Sequence, residues 1–333
     1  MQPYKSTPSA GGRRPRRLAA LALLAALTLL GGCLHLKEPD PLQAPLVYQP
    51  QGPAPAQVLA WAPAFLVHNP QEAYNRIGRP LASRDPQGGE QVRVDPEQPA
   101  IYYQAQPFQT AKGSYTNLVY RVHFPATPYS LLPFFIGAGQ NMGILVVVTL
   151  DAGGRPLLVS SVGTCGCYLT MVPTDQLDPA ALPPDWSNEP LEVYGERLPA
   201  RLDLAGLRHP RLLVSLRPGE HRVMDLALVD DPRPRGMPTP LLPASDLERL
   251  PLAGGGHTSL FYSDPPLAGH VKGAWKPLET LLLGLVSLDG LVGMDKRYPD
   301  ADSPFYTSLK PWARTASDMR DFPCFLAYYG WRL

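Results

Sequence analysis

The chain has 333 residues, 30 Lys+Arg against 29 Asp+Glu, a net charge of +1 and 44% hydrophobic residues. Charges this balanced and this well mixed leave no electrostatic footprint for nucleic acid. Its 41 prolines and four cysteines are the features of composition that organise the reading.

The first element is a basic cluster, Arg13-Arg14-Pro15-Arg16-Arg17, followed by the apolar run Leu18–Leu30 and then Gly31-Gly32-Cys33. A charged start, an apolar middle and small residues before a cut are the three parts of a secretory signal. The run is 13 residues long, short of the roughly 20 that a spanning helix needs. Cleavage is therefore expected, not a membrane anchor of protein.

Leu30-Gly31-Gly32-Cys33 resembles the lipobox of bacterial lipoproteins. The resemblance implies that residues 1–32 are a signal peptide. It implies that the Cys33 thiol carries diacylglycerol, with palmitate-type acylation on its amine. More than one acyl chain is what stable attachment requires. Leu34, where an Asp would favour the inner membrane, implies the outer membrane facing the periplasm. The membrane is then a partner through the lipid. Cleavage removes five of the 30 basic residues and none of the 29 acidic ones, which leaves a net charge of −4.

Residues 33–57 carry Pro39, Pro41, Pro45, Pro50, Pro53 and Pro55. Proline fixes φ and favours an extended, unpaired backbone. The segment is predicted to be a tether. Residues 58–333 are predicted to be one body, with a sub-boundary in the Pro-rich stretch 231–243.

Within the body, Asn117–Phe124 reads as a strand with Leu118, Tyr120, Val122 and Phe124 on one face. Asn117, Val119, Arg121 and His123 share the other face. Gly143–Leu150 and Pro156–Val162 are apolar on both faces and flank the turn Asp151-Ala152-Gly153-Gly154. That pattern predicts a central hairpin covered on both sides. Arg211–Leu216 and His221–Val229 read as two more strands. Beyond residue 243 helical signals dominate. Ser245-Asp246-Leu247-Glu248 opens one segment. Trp275–Leu288 reads as a core helix, with Pro277 placed at a first turn. Ser303-Pro304 and Ser317-Asp318 open two more. The fold class expected is α+β: an antiparallel β core over about residues 100–230, covered by C-terminal helices.

Three cysteines remain once Cys33 is lipidated. Cys165-Gly166-Cys167 follows the hairpin, and Cys324 lies near the C-terminus. In an oxidising compartment thiols tend to pair. A structural disulfide, either local or to Cys324, is one reading of Cys165 and Cys167. Another is a soft metal site for Cu or Zn, and a third is a redox pair. No cofactor is otherwise predicted. Arg121 and His123 on one strand face, and His257 in its glycine-rich loop, are candidates to line a pocket near the cysteines.

No Gly-x-Ser-x-Gly elbow, His-Glu-x-x-His pair or Walker-type lysine is present. Gly137–Gly143 precedes a strand, so it lacks the helix terminus that a dinucleotide loop needs. The sequence therefore favours a non-enzymatic role. It points to a membrane-anchored, periplasm-facing lipoprotein that binds a ligand or scaffolds an envelope protein partner. The alternative is a thiol-based metal or redox protein centred on Cys165 and Cys167.

Overall fold

The computed structural model describes residues 37–130, 135–231, 236–299 and 303–333. Strands dominate it. In chain order they are β1 (Leu46–Gln51), β2 (Ala64–Val67), β3 (Arg79–Arg84), β4 (Glu90–Asp95), β5 (Ile101–Thr110), β6 (Gly113–Thr127), β7 (Gly139–Asp151) and β8 (Pro156–Gly163). There follow β9 (Thr170–Pro173), β10 (Leu191–Val193), β11 (Glu196–Leu198), β12 (Pro210–Leu216), β13 (Val223–Asp230), β14 (Met237–Pro243), β15 (Leu250–Pro251) and β16 (His257–Thr258). Three α-helices are present among the described residues: α1 (Ala56–Trp61), α2 (Pro277–Ser287) and α3 (Phe322–Tyr328).

Ten strands form one mixed sheet in the order β13-β12-β2-β1-β14-β5-β6-β7-β8-β9. The pairs β12·β2, β1·β14 and β14·β5 are parallel. The run from β5 to β9 is antiparallel throughout. Each of the ten strands sends side chains into a single core. Tyr48, Phe65, Ile101, Tyr120, Val146, Val159, Val172, Val214, Leu226 and Leu241 all belong to it. A flat sheet cannot bring its two edges to one core, so this one curls until β13 and β9 face each other. The seam is filled by the segment after β10. Leu198 and Leu202 enter the core there, and Leu202 pairs beside Thr174, next to the end of β9.

The predicted hairpin is present as β7 and β8, and its covering on both faces follows from the curl. Ile144, Val146, Val148 and Leu150 point into the central core. Leu145 and Val147 point outward into a second core with Phe305, Met319, Phe325 and Trp331. Period-two alternation thus places apolar residues on both sides of one strand.

The expected α+β class is corrected by this arrangement. The protein is mostly β, and its C-terminal cover is made of loops and the short α3, not of a helical layer. The tether is corrected as well. Leu46–Gln51 is an interior strand, held by β2 on one side and β14 on the other. Met237–Pro243 likewise lies inside the sheet, where a sub-boundary was expected. Their prolines point to a tether in the first and a sub-boundary in the second, because proline cannot donate to a ladder. In the structure the two segments lie against each other in parallel, with Gln49 opposite Pro238 and Pro50 opposite Thr239. Their prolines are staggered, each opposite a residue other than proline, and neighbouring positions such as Tyr48 and Leu241 still reach the core.

Candidate functional site

One end of the curled sheet gathers the C-terminal ends of β6, β8 and β12 with the N-terminal ends of β7, β9 and β13. A cavity of about 310 Å³ opens there. Its apolar walls come from Phe135, Ile136, Met142, Ile144, Leu283 and Val292, with Tyr168, Tyr194 and Tyr306 beside them. Glu220, Arg222, Lys276 and Glu279 supply the charged groups. Mostly apolar walls with a few converging polar groups are the ordinary make-up of a small-molecule site.

Cys165 and Cys167 line the cavity and are joined as a disulfide. The loop that carries them is tied down at several points. Gly163 N–H donates to Cys167 C=O at 2.8 Å, Thr164 N–H to Gly143 C=O at 2.9 Å, and Lys296 N–H to Thr164 C=O at 2.8 Å. Gly166 has φ +90°, and a Cβ there would lie 2.2 Å from Tyr306 O. Only glycine meets both demands. Cys324 is a free, half-buried thiol in α3 and does not reach this loop's disulfide.

Two buried ionic clusters each reach the cavity, one through Lys276 and Glu279 and the other through Glu220 and Arg222. In the first, the Lys276 ammonium lies 3.3 Å from Asp295 Oδ2 and 3.9 Å from Glu279 Oε2. Asp295 Oδ1 accepts from Gly143 N–H at 3.2 Å and from the Thr164 hydroxyl. Burial holds the Glu279 carboxyl above its usual range, against the pull of Lys276. In the second, Glu196 accepts from Arg217 Nε at 2.7 Å and Nη2 at 2.5 Å, and from Arg222 Nη2 at 3.2 Å. Arg222 also pairs with Glu220. Burial pushes the Glu220 carboxyl up to about 7, although Arg222 and Arg217 pull it down.

Next to Glu220, His221 is stacked on Phe124 with ring centroids 4.1 Å apart. Burial lowers it to about 3. The two neighbours give opposite pH slopes. His221 titrates below its unfolded value near 6.5, so its contribution is present above 6.5 and is lost as pH falls toward 3. Glu220 titrates above its unfolded value near 4.5, so its contribution is present below 4.5 and is lost as pH rises through 7. His221→Asn removes the first slope and suits the φ of +58° at this position. Urea unfolding at pH 7.5 and pH 5 should show this variant losing about 2 kcal/mol less than the native chain on acidification. An unchanged pH dependence would place the protonation elsewhere.

Of the residues singled out from sequence, only Cys165 and Cys167 line this cavity. Arg121 and His123 are buried beneath the outer face of β6. Arg121 Nε donates to His123 Nε2 at 3.1 Å, and its Nη1 donates to Lys296 C=O at 2.9 Å. They brace the sheet, and burial holds the His123 ring far below its usual range. His257 is exposed on β16 and does not line the cavity. The expected pocket of Arg121, His123 and His257 is therefore replaced by one built from Glu220, Arg222, Lys276 and Glu279. Cys33 lies outside the described residues. Among the described residues no group of three or more His, Cys, Asp or Glu side chains is placed to hold a metal ion. None of their helices is long and apolar enough to cross a membrane.

No protein-family model and no curated protein matches the chain. Among solved structures, a chain described as "NLPPya in complex with mannosamine" is similar at 17% identity with a TM-score of 0.26. The likeness covers 50% of this chain and 65% of that one, just under two thirds of its length. A likeness so slight carries neither fold nor function across.

Proposed function

We propose that this protein is a lipoprotein, anchored at Cys33 in the outer membrane and facing the periplasm, whose body binds a small amphiphile in the cavity at the end of the sheet. The observation that carries the binding role is the cavity itself: about 310 Å³, walled by apolar side chains and edged by Glu220, Arg222, Lys276 and Glu279. An apolar tail fits between Met142, Ile144, Leu283 and Val292. The acids suit an acceptor headgroup, because a buried carboxyl that keeps its proton near neutral pH donates a hydrogen bond. The disulfide serves this reading as a rigid part of the wall.

Calorimetric titration of the acylated protein with dodecanoate tests it. Binding is expected, tighter at pH 6 than at pH 8, because Glu220 loses its proton as pH rises through 7. Leu283→Trp narrows the cavity and should weaken binding by at least about tenfold, or 1.4 kcal/mol. Its melting temperature should stay near that of the native chain. Absence of heat with the native protein overturns the amphiphile reading, and unchanged affinity in Leu283→Trp moves the site.

A further inference from the structure

Helix α2 is inverted relative to an ordinary surface helix. Glu279 and Ser287 are its buried residues, and Leu283 faces the cavity. Outward it presents Leu281, Leu285 and Val286, with Leu288 just beyond, and these are 68% to 85% exposed. Soluble helices turn the apolar stripe to the core. Trp275–Leu288, expected from sequence as a core helix, thus keeps its polar groups inside and its leucines in solvent. Trp275 before the helix is also exposed, as are Leu309, Trp312 and Tyr129. Leu281, Leu285 and Leu288 follow one another along one face of the helix, and an exposed apolar stripe of this kind marks a contact with a partner or a membrane.

The path of the chain decides between them. Lys37 is held beside the cavity: Arg217 Nη1 donates to its C=O at 3.1 Å, and its ammonium donates to the Tyr74 hydroxyl at 2.5 Å. Lys37 and the exposed Tyr129 line an adjoining cleft, and Thr127, Phe135 and Glu220 line both that cleft and the main cavity. Lys37 therefore lies at the cavity's rim. Three residues separate Lys37 from Cys33, a reach of about 14 Å at most over the four steps of chain. A body held that closely must turn this end to the bilayer.

We infer that α2 lies in the membrane interface, with Leu281, Leu285, Val286 and Leu288 among the lipid headgroups, so that the cavity opens onto the bilayer surface. This rests on the lipid anchor proposed at Cys33. An amphipathic helix seated in this way buries its apolar face about 5–10 Å into the headgroup boundary, and Trp and Leu are the residues that do it. Lys310, exposed between Leu309 and Trp312, suits an anionic surface. The ligand would then enter from the membrane, not from solution.

The test uses the purified acylated protein in vesicles of phosphatidylethanolamine and phosphatidylglycerol. A nitrobenzoxadiazole label is placed at Leu285→Cys in a Cys324→Ser background. A control label is placed at Ala152→Cys, in the β7–β8 turn at the opposite end of the sheet. Emission at 285 should be blue-shifted and should lose intensity with spin-labelled lipids, while emission at 152 stays water-like. A water-like signal at 285 overturns the inference, and so does a blue shift that spin-labelled lipids do not quench, which would mean a protein covers the helix. Quenching at both positions overturns it too. Intact mass of the same sample separates the two failures: diacylglycerol on Cys33 with a wet α2 defeats only the docking, whereas an unacylated Cys33 defeats the anchor and the docking with it.

Discussion

Replacing Lys276 with Met should destabilise the protein by about 3–5 kcal/mol, the usual loss when one partner of a buried ion pair is removed. The Lys276 side chain is 1% exposed and that of Asp295 is 0%. The two stand 3.3 Å apart. Without the ammonium, the Asp295 carboxylate keeps Gly143 N–H and the Thr164 hydroxyl as hydrogen-bond donors, with the more distant charges of Arg121 and Lys296. Losing the cation nearest to a charge buried away from solvent is costly. Glu279, already held above its usual range by burial, also loses its nearest cation. The double variant K276M/D295N removes both charges and leaves the amide to accept the same two hydrogen bonds. It should recover most of the loss, because a pair replaced by neutral groups of similar volume is often close to neutral. Urea midpoints of the native chain, both single variants and the double variant close a double-mutant cycle. A K276M variant within about 1 kcal/mol of the native chain would show that Lys276 reaches water instead.

Glu196→Ala should cost a similar amount, about 3–5 kcal/mol, for the mirror reason. Here two cations lose one shared anion. The Glu196, Arg217 and Arg222 side chains are all 5% exposed or less; the carboxylate takes Arg217 in fork geometry through both oxygens, and Arg222 through Oε1 alone. Glu38 remains on Arg217 at 3.2 Å and Glu220 remains on Arg222, so the burden moves onto Glu220. Glu196 is one of the charges that hold Glu220 up. In Glu196→Gln, which keeps the volume and drops the charge, the Glu220 midpoint should therefore fall below 7. Carboxyl NMR reads that shift directly, and a midpoint that stays at 7 would uncouple the two acids. The same change should weaken dodecanoate binding at pH 7, since less of Glu220 would carry its proton.

The strands of the antiparallel half were legible because local pattern and tertiary role agree there. Gly143–Leu150 is β-branched and apolar on both faces, and it ended between two cores. Leu118, Tyr120, Val122 and Phe124 alternate along β6, and all four reached the central core. The parallel half was not legible. Residues 46–51 and 237–243 are short and proline-bearing, and each is a strand because two neighbours flank it, one of them the other segment. That pairing spans almost 200 residues, and nothing local announces it.

The site divides in the same way. Cys165-Gly166-Cys167 could be picked out because its chemistry is written in three adjacent residues. Lys276, Asp295, Glu196 and Arg217 could not, because a lone charged residue in sequence is ordinarily a solvated one. Trp275–Leu288 misled for a related reason. Its leucines read as core, and only the position of Glu279 over the cavity shows which way the helix is turned.

By itself the sequence determined the antiparallel strands and the thiol pair, and carried the expectation of a lipobox, all of which rest on neighbours within a few residues. The tertiary structure alone decided that the proline-rich segment is part of the sheet, which buried charges face each other, and that the leucines of α2 point outward. Those outcomes depend on contacts between distant residues, where burial and Coulomb attraction override what each residue prefers alone. The most consequential of them is the shortened tether: with Lys37 and β1 held on the body, only three residues lie between Lys37 and Cys33, and it is on this that the proposed docking of α2 at a membrane rests.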